Sequence, residues 1–334
     1  MASVLAGCAS APSRSAANEH YDLLIRNGLV YDGSGAPPKR MDVAVNGDRV
    51  VALLPGGSRA DARQVFDAAG RAVAPGFINV LSWSTESLIA DGRGVSETKQ
   101  GVTLEIFGEG WSMGPLTPAM KANALKRQSD IKYPIEWTTL GEYLDYLVRR
   151  GITPNVASFV GATTVRVHEL GEGDVQPDAA QFARMQDVVR SAMREGALGV
   201  GASLIYPPAF YAKSDELVAL AKAAAESGGG YVAHMRSEAN KLLEAIDETL
   251  AIGRATRQRV EAYHLKAAGE RNWPQMAQAI AKIEAARAEG IQAGAMRVYP
   301  IGKTVSAQEL RELNIERDAF HGDWNYVLRP REHA

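Results

Sequence analysis

Gly230-Tyr-Val-Ala-His-Met-Arg and, a helix length later, Val260-Glu-Ala-Tyr-His-Leu-Lys are the two runs whose reading decides the fold. Each is a short apolar run that ends in a histidine, His234 and His264. Between them Glu238 to Arg254 is amphipathic. The pattern predicts strand, helix, strand, with an imidazole at the C-terminal tip of each strand. In a parallel α/β barrel those tips are where chemistry is carried out.

The same rhythm extends in both directions. From Ala74 onward, short apolar runs alternate with helical patterns, which predicts βα units and a parallel sheet. Strands are expected at Gly76–Leu81, Val102–Phe107, Asn155–Val160, Leu198–Ile205, Tyr231–His234 and Val260–Leu265, with a weaker one at Ile291–Ala295. Helices are expected at Gln181–Glu195, with Phe182, Met185, Val189 and Met193 on one face, and at Trp273–Glu289. A third should begin at Ser214 as N-cap and end before Gly228-Gly-Gly. Before Ala74 the texture differs. Residues 21–73 carry alternating apolar runs closed by turn residues, Asn27-Gly28 and Gly47-Asp48 among them. The predicted fold is therefore α/β: an incomplete (β/α)8 barrel of six to seven strands over residues 74–292, preceded by a small β-sandwich-like domain over 21–73.

Bulk properties narrow the function classes. The 334 residues are 46% hydrophobic and 23% charged with a formal net charge of −2, which offers no electrostatic case for a nucleic-acid partner or an anionic membrane surface. No apolar run approaches the roughly 18 residues that span a bilayer. The single cysteine, Cys8, excludes an internal disulfide. Leu5-Ala6-Gly7-Cys8, followed by an Ala- and Ser-rich stretch, resembles a bacterial lipobox. Residues 1–20 are accordingly expected to be a signal remnant and tether, with Cys8 lipidated and the protein at the cell envelope; with the N-terminus as written, the alternative is the cytoplasm.

Two histidines at equivalent positions on consecutive strands can face one metal, and zinc needs further ligands. Glu109, in Ile106-Phe-Gly-Glu-Gly-Trp-Ser just past the second barrel strand, is the candidate third. Its flanking glycines allow a sharp turn that would expose the carboxylate. Ser203, Tyr206, Arg236 and Lys266 also lie near strand ends and are candidate substrate-binding groups. Glu86, Glu97 and Glu105 read as surface or structural residues.

Several stretches together resemble the D-aminoacylase (N-acyl-D-amino-acid deacylase) branch of the amidohydrolase superfamily. They are Tyr21-Asp-Leu-Leu-Ile-Arg-Asn-Gly with Tyr31-Asp-Gly-Ser-Gly-Ala-Pro-Pro, Ala74-Pro-Gly-Phe-Ile-Asn-Val, Lys99-Gln-Gly-Val-Thr, Gly196-Ala-Leu-Gly-Val, Phe210-Tyr-Ala-Lys-Ser-Asp-Glu-Leu and Tyr231-Val-Ala-His-Met-Arg-Ser-Glu. The resemblance implies a zinc hydrolase of amide bonds on a (β/α)8 barrel, acting on an N-acyl amino acid or related amide. It places His234 and His264 on the family's metal-binding histidines. It also marks three departures. Where the family has His-X-His after the first barrel strand, this chain reads Leu81-Ser82-Trp83. Where many members have a metal-binding cysteine, it has Glu109. The family's catalytic aspartate, on the last barrel strand, has no counterpart, so hydrolysis is expected to be impaired; the alternative is a chain that binds metal or ligand without turnover. An unclosed barrel would expose strand edges and favour oligomerisation or aggregation. Finally, residues 293–334, and Lys303 to Pro330 in particular, resemble the tail of bacterial insertion-sequence transposases, which suggests a fused remnant.

Overall fold

The computed structural model describes residues 20–297. The lipobox expected at Cys8, and residues 298–334 of the tail expected to be transposase-derived, lie outside the described residues. The chain divides into two compact units at Pro75.

The first unit is a five-stranded mixed sheet. Its strands are β1 (His20–Val30), β2 (Lys39–Asn46), β3 (Arg49–Pro55), β4 (Asp61–Asp67) and β5 (Ala72–Val73). They run in the order β3-β2-β1-β4, and β5 also pairs with β1. The β2–β3 hairpin turns at Gly47, as the sequence suggests. Asn27-Gly28 does not turn the chain. It forms a bulge inside a continuous β1, where the register to β2 shifts between Ile25 and Gly28 and Asn27 adopts a φ of 56°. Asp42, fully buried, explains the difference: its carboxylate accepts hydrogen bonds from the Asn27 and Ser58 backbone amides and from the Ser58 hydroxyl. The bulge is thus tied to the neighbouring strand instead of being free to reverse. Tyr21, Leu24, Ala44, Leu54 and Ala60 form the small core.

The second unit holds the barrel strands. They are β6 (Phe77–Asn79), β7 (Val102–Phe107), β8 (Asn155–Ser158), β9 (Val160–Gly161), β10 (Gly199–Ser203), β11 (Gly230–His234), β12 (Val260–Leu265) and β13 (Ala293–Arg297). Every pairing among them is parallel. The run β6-β7-β8 is continued by β9-β10-β11-β12-β13. Only Phe159 separates β8 from β9, so the eight segments make seven barrel strands, in an arc that does not return from β13 to β6 among the described residues. This is an incomplete (β/α)8 barrel, and the weak strand expected near residue 291 is its seventh member.

Helices pack outside the arc. They are α1 (Ser87–Ala90), α2 (Val95–Thr98), α3 (Pro118–Arg127), α4 (Leu140–Arg150), α5 (Ala162–Leu170), α6 (Ala179–Arg194), α7 (Ser214–Ala225), α8 (Leu242–Thr256) and α9 (Gln275–Ala288). Residues α4 and α6 show why they form. Thr139 with Glu142, and Asp178 with Gln181, make reciprocal capping boxes that satisfy the orphan amides of the first turn. Leu140, Tyr143 and Leu147 then bury one face of α4, and Met185, Val189 and Ala192 one face of α6. Each large side chain so buried stabilises the fold by about 1.5–3 kcal/mol. Gly151, at a φ of 83°, ends α4.

Two boundaries differ from expectation. Ser214 is not the N-cap of α7; Lys213 holds that position, and the Ser214 hydroxyl donates to Glu248 instead. Helix α8 starts at Leu242, so Glu238 lies on the loop after β11. That loop placement matters for the site.

Candidate metal centre

The tips of β7, β11 and β12 bring three side chains together. His234 is the last residue of β11 and His264 the penultimate residue of β12. Glu109 follows β7 by two residues. Their ligand atoms all lie within 4.8 Å of one another. Glu109 Oε1 is the focus: His264 Nε2 approaches it at 2.7 Å and His234 Nδ1 at 3.3 Å. The two imidazoles stand nearly perpendicular, with ring centroids 4.4 Å apart.

The glycines around Glu109 do something other than expose it. Gly108 and Gly110 have φ values of 102° and 83°. A Cβ at Gly108 would stand 2.3 Å from the Phe159 carbonyl oxygen, and one at Gly110 would stand 2.4 Å from Ser203 Cβ. Only bare backbone can press this loop onto the strand ends. The carboxylate is therefore turned inward, and Glu109, the candidate third ligand, is only 7% exposed, where the sequence predicts that the glycines expose it.

His264 also carries a backbone signature. Its φ of 36° is in the left-handed region, unusual for a residue with a Cβ. Such a conformation costs on the order of 1–3 kcal/mol and persists where surrounding contacts fix the residue. Those contacts are visible. His264 Nδ1 is 2.8 Å from Glu238 Oε1, and Lys266 Nζ donates to the same oxygen while lying 3.0 Å from Nδ1. Glu238 thereby fixes the ring so that Nε2 faces Glu109, the carboxylate–histidine arrangement that orients metal ligands. Sequence reasoning missed Glu238 by assigning it to a helix. Its closeness in sequence to His234, four residues on, is a local trace, but its partner His264 comes from the next strand.

Electrostatics follow from this packing. Burial pushes the Glu109 carboxyl up, but hydrogen bonds from His234 and His264 outweigh it and hold the group at about 2. Burial pushes His264 down, but its bonds to Glu109 and Glu238 prevail and raise it to about 9. Burial likewise opposes the Glu238 carboxylate, whose bonds to His264 and Lys266 lower it below its ordinary range. Without metal, then, a protonated His264 is clasped between two carboxylates.

The donor set fits a zinc ion. Two imidazole nitrogens and one ionised carboxylate oxygen are the three-ligand pattern of catalytic zinc sites. Bonds of about 2.0–2.1 Å at tetrahedral angles put neighbouring ligand atoms about 3.4 Å apart. The 3.3 Å between His234 and Glu109 already matches that spacing. The 2.7 Å contact of His264 is a hydrogen bond that metal would replace.

The other candidate residues divide. Tyr206 sets its ring edge-on to His234 at 5.2 Å and is 58% exposed, beside the cluster. Lys266 reaches it through Glu238 and His264 Nδ1. Ser203, paired in register with His234, is buried and serves as the wall against which Gly110 packs. Arg236 turns elsewhere: it forks onto Glu248 and donates to the Phe210 and Ala212 carbonyls, fixing the turn before α7. Trp83 takes part where the sequence offered no reason to expect it. Its indole Nε1 donates to Glu109 Oε2 at 3.0 Å. Glu105, read as surface or structural, is fully buried and accepts from the Ser82 hydroxyl at 2.6 Å.

No family model matches the chain. Individual proteins do. The chain is 34% identical over 285 residues to an N-acyl-D-glutamate deacylase of Alcaligenes xylosoxydans xylosoxydans, covering 84% of this chain and 57% of that protein. The crystal structure of N-acyl-D-glutamate deacylase from Bordetella bronchiseptica, complexed with zinc and a phosphonate mimic of the tetrahedral intermediate, superposes with a TM-score of 0.74 at 31% identity; the match covers 84% of this chain and 59% of that one. A D-aminoacylase structure, described in terms of a binuclear metal centre with one-metal activation and second-metal attenuation, gives 0.74 at 29% identity, over 83% of this chain and 58% of that one. The chain thus spans a little under three fifths of the length of the relatives it matches. By sequence and by fold together, this chain is a homologue of the D-aminoacylase branch of the amidohydrolases.

Proposed function

We propose that this chain carries a single-zinc site for an N-acyl-D-amino acid or a related amide, and that its hydrolysis is impaired because no aspartate proton carrier joins the site among the described residues. The carrying observation is the convergence of Glu109, His234 and His264 within 4.8 Å, the first two buried and His264 half-buried and held by Glu238. Zinc, when bound, supplies Lewis-acid polarisation of the amide carbonyl and acidification of a water. The chain's own residues hold the site in order. Glu109 contributes an anionic oxygen, and Trp83 occupies its other one. With that oxygen taken, and with Leu81 and Trp83 standing where the family has two histidines, one zinc is the expected complement. The one-metal activation described for the D-aminoacylase relative supports the sufficiency of a single ion.

Among the described residues no aspartate joins the cluster. Glu238 cannot substitute readily, because its carboxylate is committed to His264 and Lys266. The same observation favours a second reading, a site that binds metal and amide without turnover. The deciding experiment loads the full chain with zinc and follows release of free amino acid from N-acetyl-D- and N-acetyl-L-glutamate. Slow, zinc-dependent, D-selective release is expected. Binding of the D-amide without release selects the second reading, and neither binding nor release rejects both.

A further inference from the structure

A cavity of about 430 Å³ adjoins the metal centre through Trp83 and Gly108. Trp83 belongs to both: its indole nitrogen holds Glu109, while its ring lines the cavity. The interior is apolar and aromatic, with Trp111, Met113, Met120, Ile135 and Trp137 among its walls. The ionic groups at its margin are partnered. Arg127 pairs with Glu172 at 3.0 Å, and Glu86 accepts from the Tyr133 hydroxyl at 2.6 Å. A volume within the roughly 300–1,000 Å³ of small-molecule sites, with an apolar lining and no spare cation, suits an uncharged hydrophobic group.

An N-acyl amino acid has one such group, its acyl chain, and one anionic end, its α-carboxylate. The centre presents different chemistry to each. Trp83 adjoins the outer oxygen of Glu109, and Glu109 meets the Nε2 edge of His264. Lys266 lies at the opposite, Nδ1, edge of the same ring. The Lys266–Glu238 ion pair is therefore at one end of the relay and the apolar cavity at the other. We infer that the Trp83 cavity is the acyl-chain subsite, selecting medium-length aliphatic or aryl acyl groups over acetyl. This inference rests on the amide-binding reading above.

Its test separates the two. Octanoate and acetate stand for the acyl product and are titrated calorimetrically into the zinc-loaded full chain. Burial of six more methylenes is expected to favour octanoate by at least about tenfold. Ala124→Phe, on α3, and Val167→Phe, on α5, each fill the cavity from a different helix, and their zinc content and cooperative melting report folding. Loss of the octanoate advantage in both, with zinc retained, supports the subsite. Equal binding of the two acids by the unaltered chain, or an advantage that survives both folded variants, overturns it. Where turnover is measurable, the N-octanoyl to N-acetyl ratio of kcat/KM for one D-amino acid is expected to fall at least tenfold in the same variants. Amide hydrolysis with no preference for chain length leaves the function standing and rejects the subsite. Selective octanoate binding without any hydrolysis rejects the hydrolytic function and leaves the subsite standing.

Discussion

In the metal-free protein the clasp on His264 makes stability depend on pH in a direction opposite to zinc affinity. The imidazolium is stabilised by Glu109 and Glu238, which raise His264 from 6.5 to about 9. A raised folded-state pKa contributes stability that is fully present below 6.5 and is lost as pH climbs through 9. The rise from 6.5 to about 9 corresponds to about 3 kcal/mol at most. Partial solvent access and the burial of two carboxylates reduce this to about 1–3 kcal/mol. For a chain of this size each kcal/mol moves the midpoint by about 2–4 °C. Thermal melts of the EDTA-treated full chain should therefore fall by several degrees between pH 6.5 and 9, and the fall should be smaller in His264→Gln. Zinc needs the neutral ring, so its apparent affinity should rise about tenfold per pH unit over the same window. Calorimetry at pH 7 in buffers of different ionisation enthalpy should find about one proton released per zinc; Glu109, held near 2, contributes none. A flat melting curve in the wild type, an equal slope in His264→Gln, or zinc uptake without proton release would refute the reasoning.

Glu238→Gln keeps the shape of the loop but removes the charge that orients His264, and should weaken zinc binding about 10–100-fold without abolishing the fold; competition with a chromogenic chelator measures it. Gly110→Ala introduces a methyl group 2.4 Å from Ser203 Cβ at a φ of 83°, and should cost at least about 2 kcal/mol in urea unfolding while lowering zinc content. Arg166 and Glu216 form an ion pair with no exposed surface between α5 and α7. Arg166→Met should cost about 3–5 kcal/mol by stranding the carboxylate, and Arg166→Met with Glu216→Leu should recover much of that loss.

Much of the fold was legible because its signals are local. The apolar runs ending at His234 and His264 place two strands and their functional tips directly, and even the weak seventh strand could be read. What misled was context supplied from afar. Asn27-Gly28 has the composition of a turn, yet Asp42 on the neighbouring strand ties it into a bulge. The glycines beside Glu109 suggest a sharp turn that exposes the carboxylate; the reason they press inward lies in Phe159 and Ser203, roughly fifty to ninety residues away. Glu238 and Trp83 escaped for the same reason. Each acts through a hydrogen bond across the barrel end, to His264 and Glu109 respectively, and no spacing along the chain encodes those pairings. Arg236, a candidate substrate-binding cation near a strand end, is held by Glu248 and two backbone carbonyls, partners that its place in the sequence does not indicate.

The central claim is that Glu109, His234 and His264 hold one zinc ion. It is tested most directly by loading the full chain with excess zinc, removing the unbound metal, and counting zinc per chain by elemental mass spectrometry. The predicted result is one equivalent, reduced to near zero in Glu109→Ala and in His234→Ala while both variants still melt cooperatively. Two retained equivalents, or one that survives both substitutions, would contradict it.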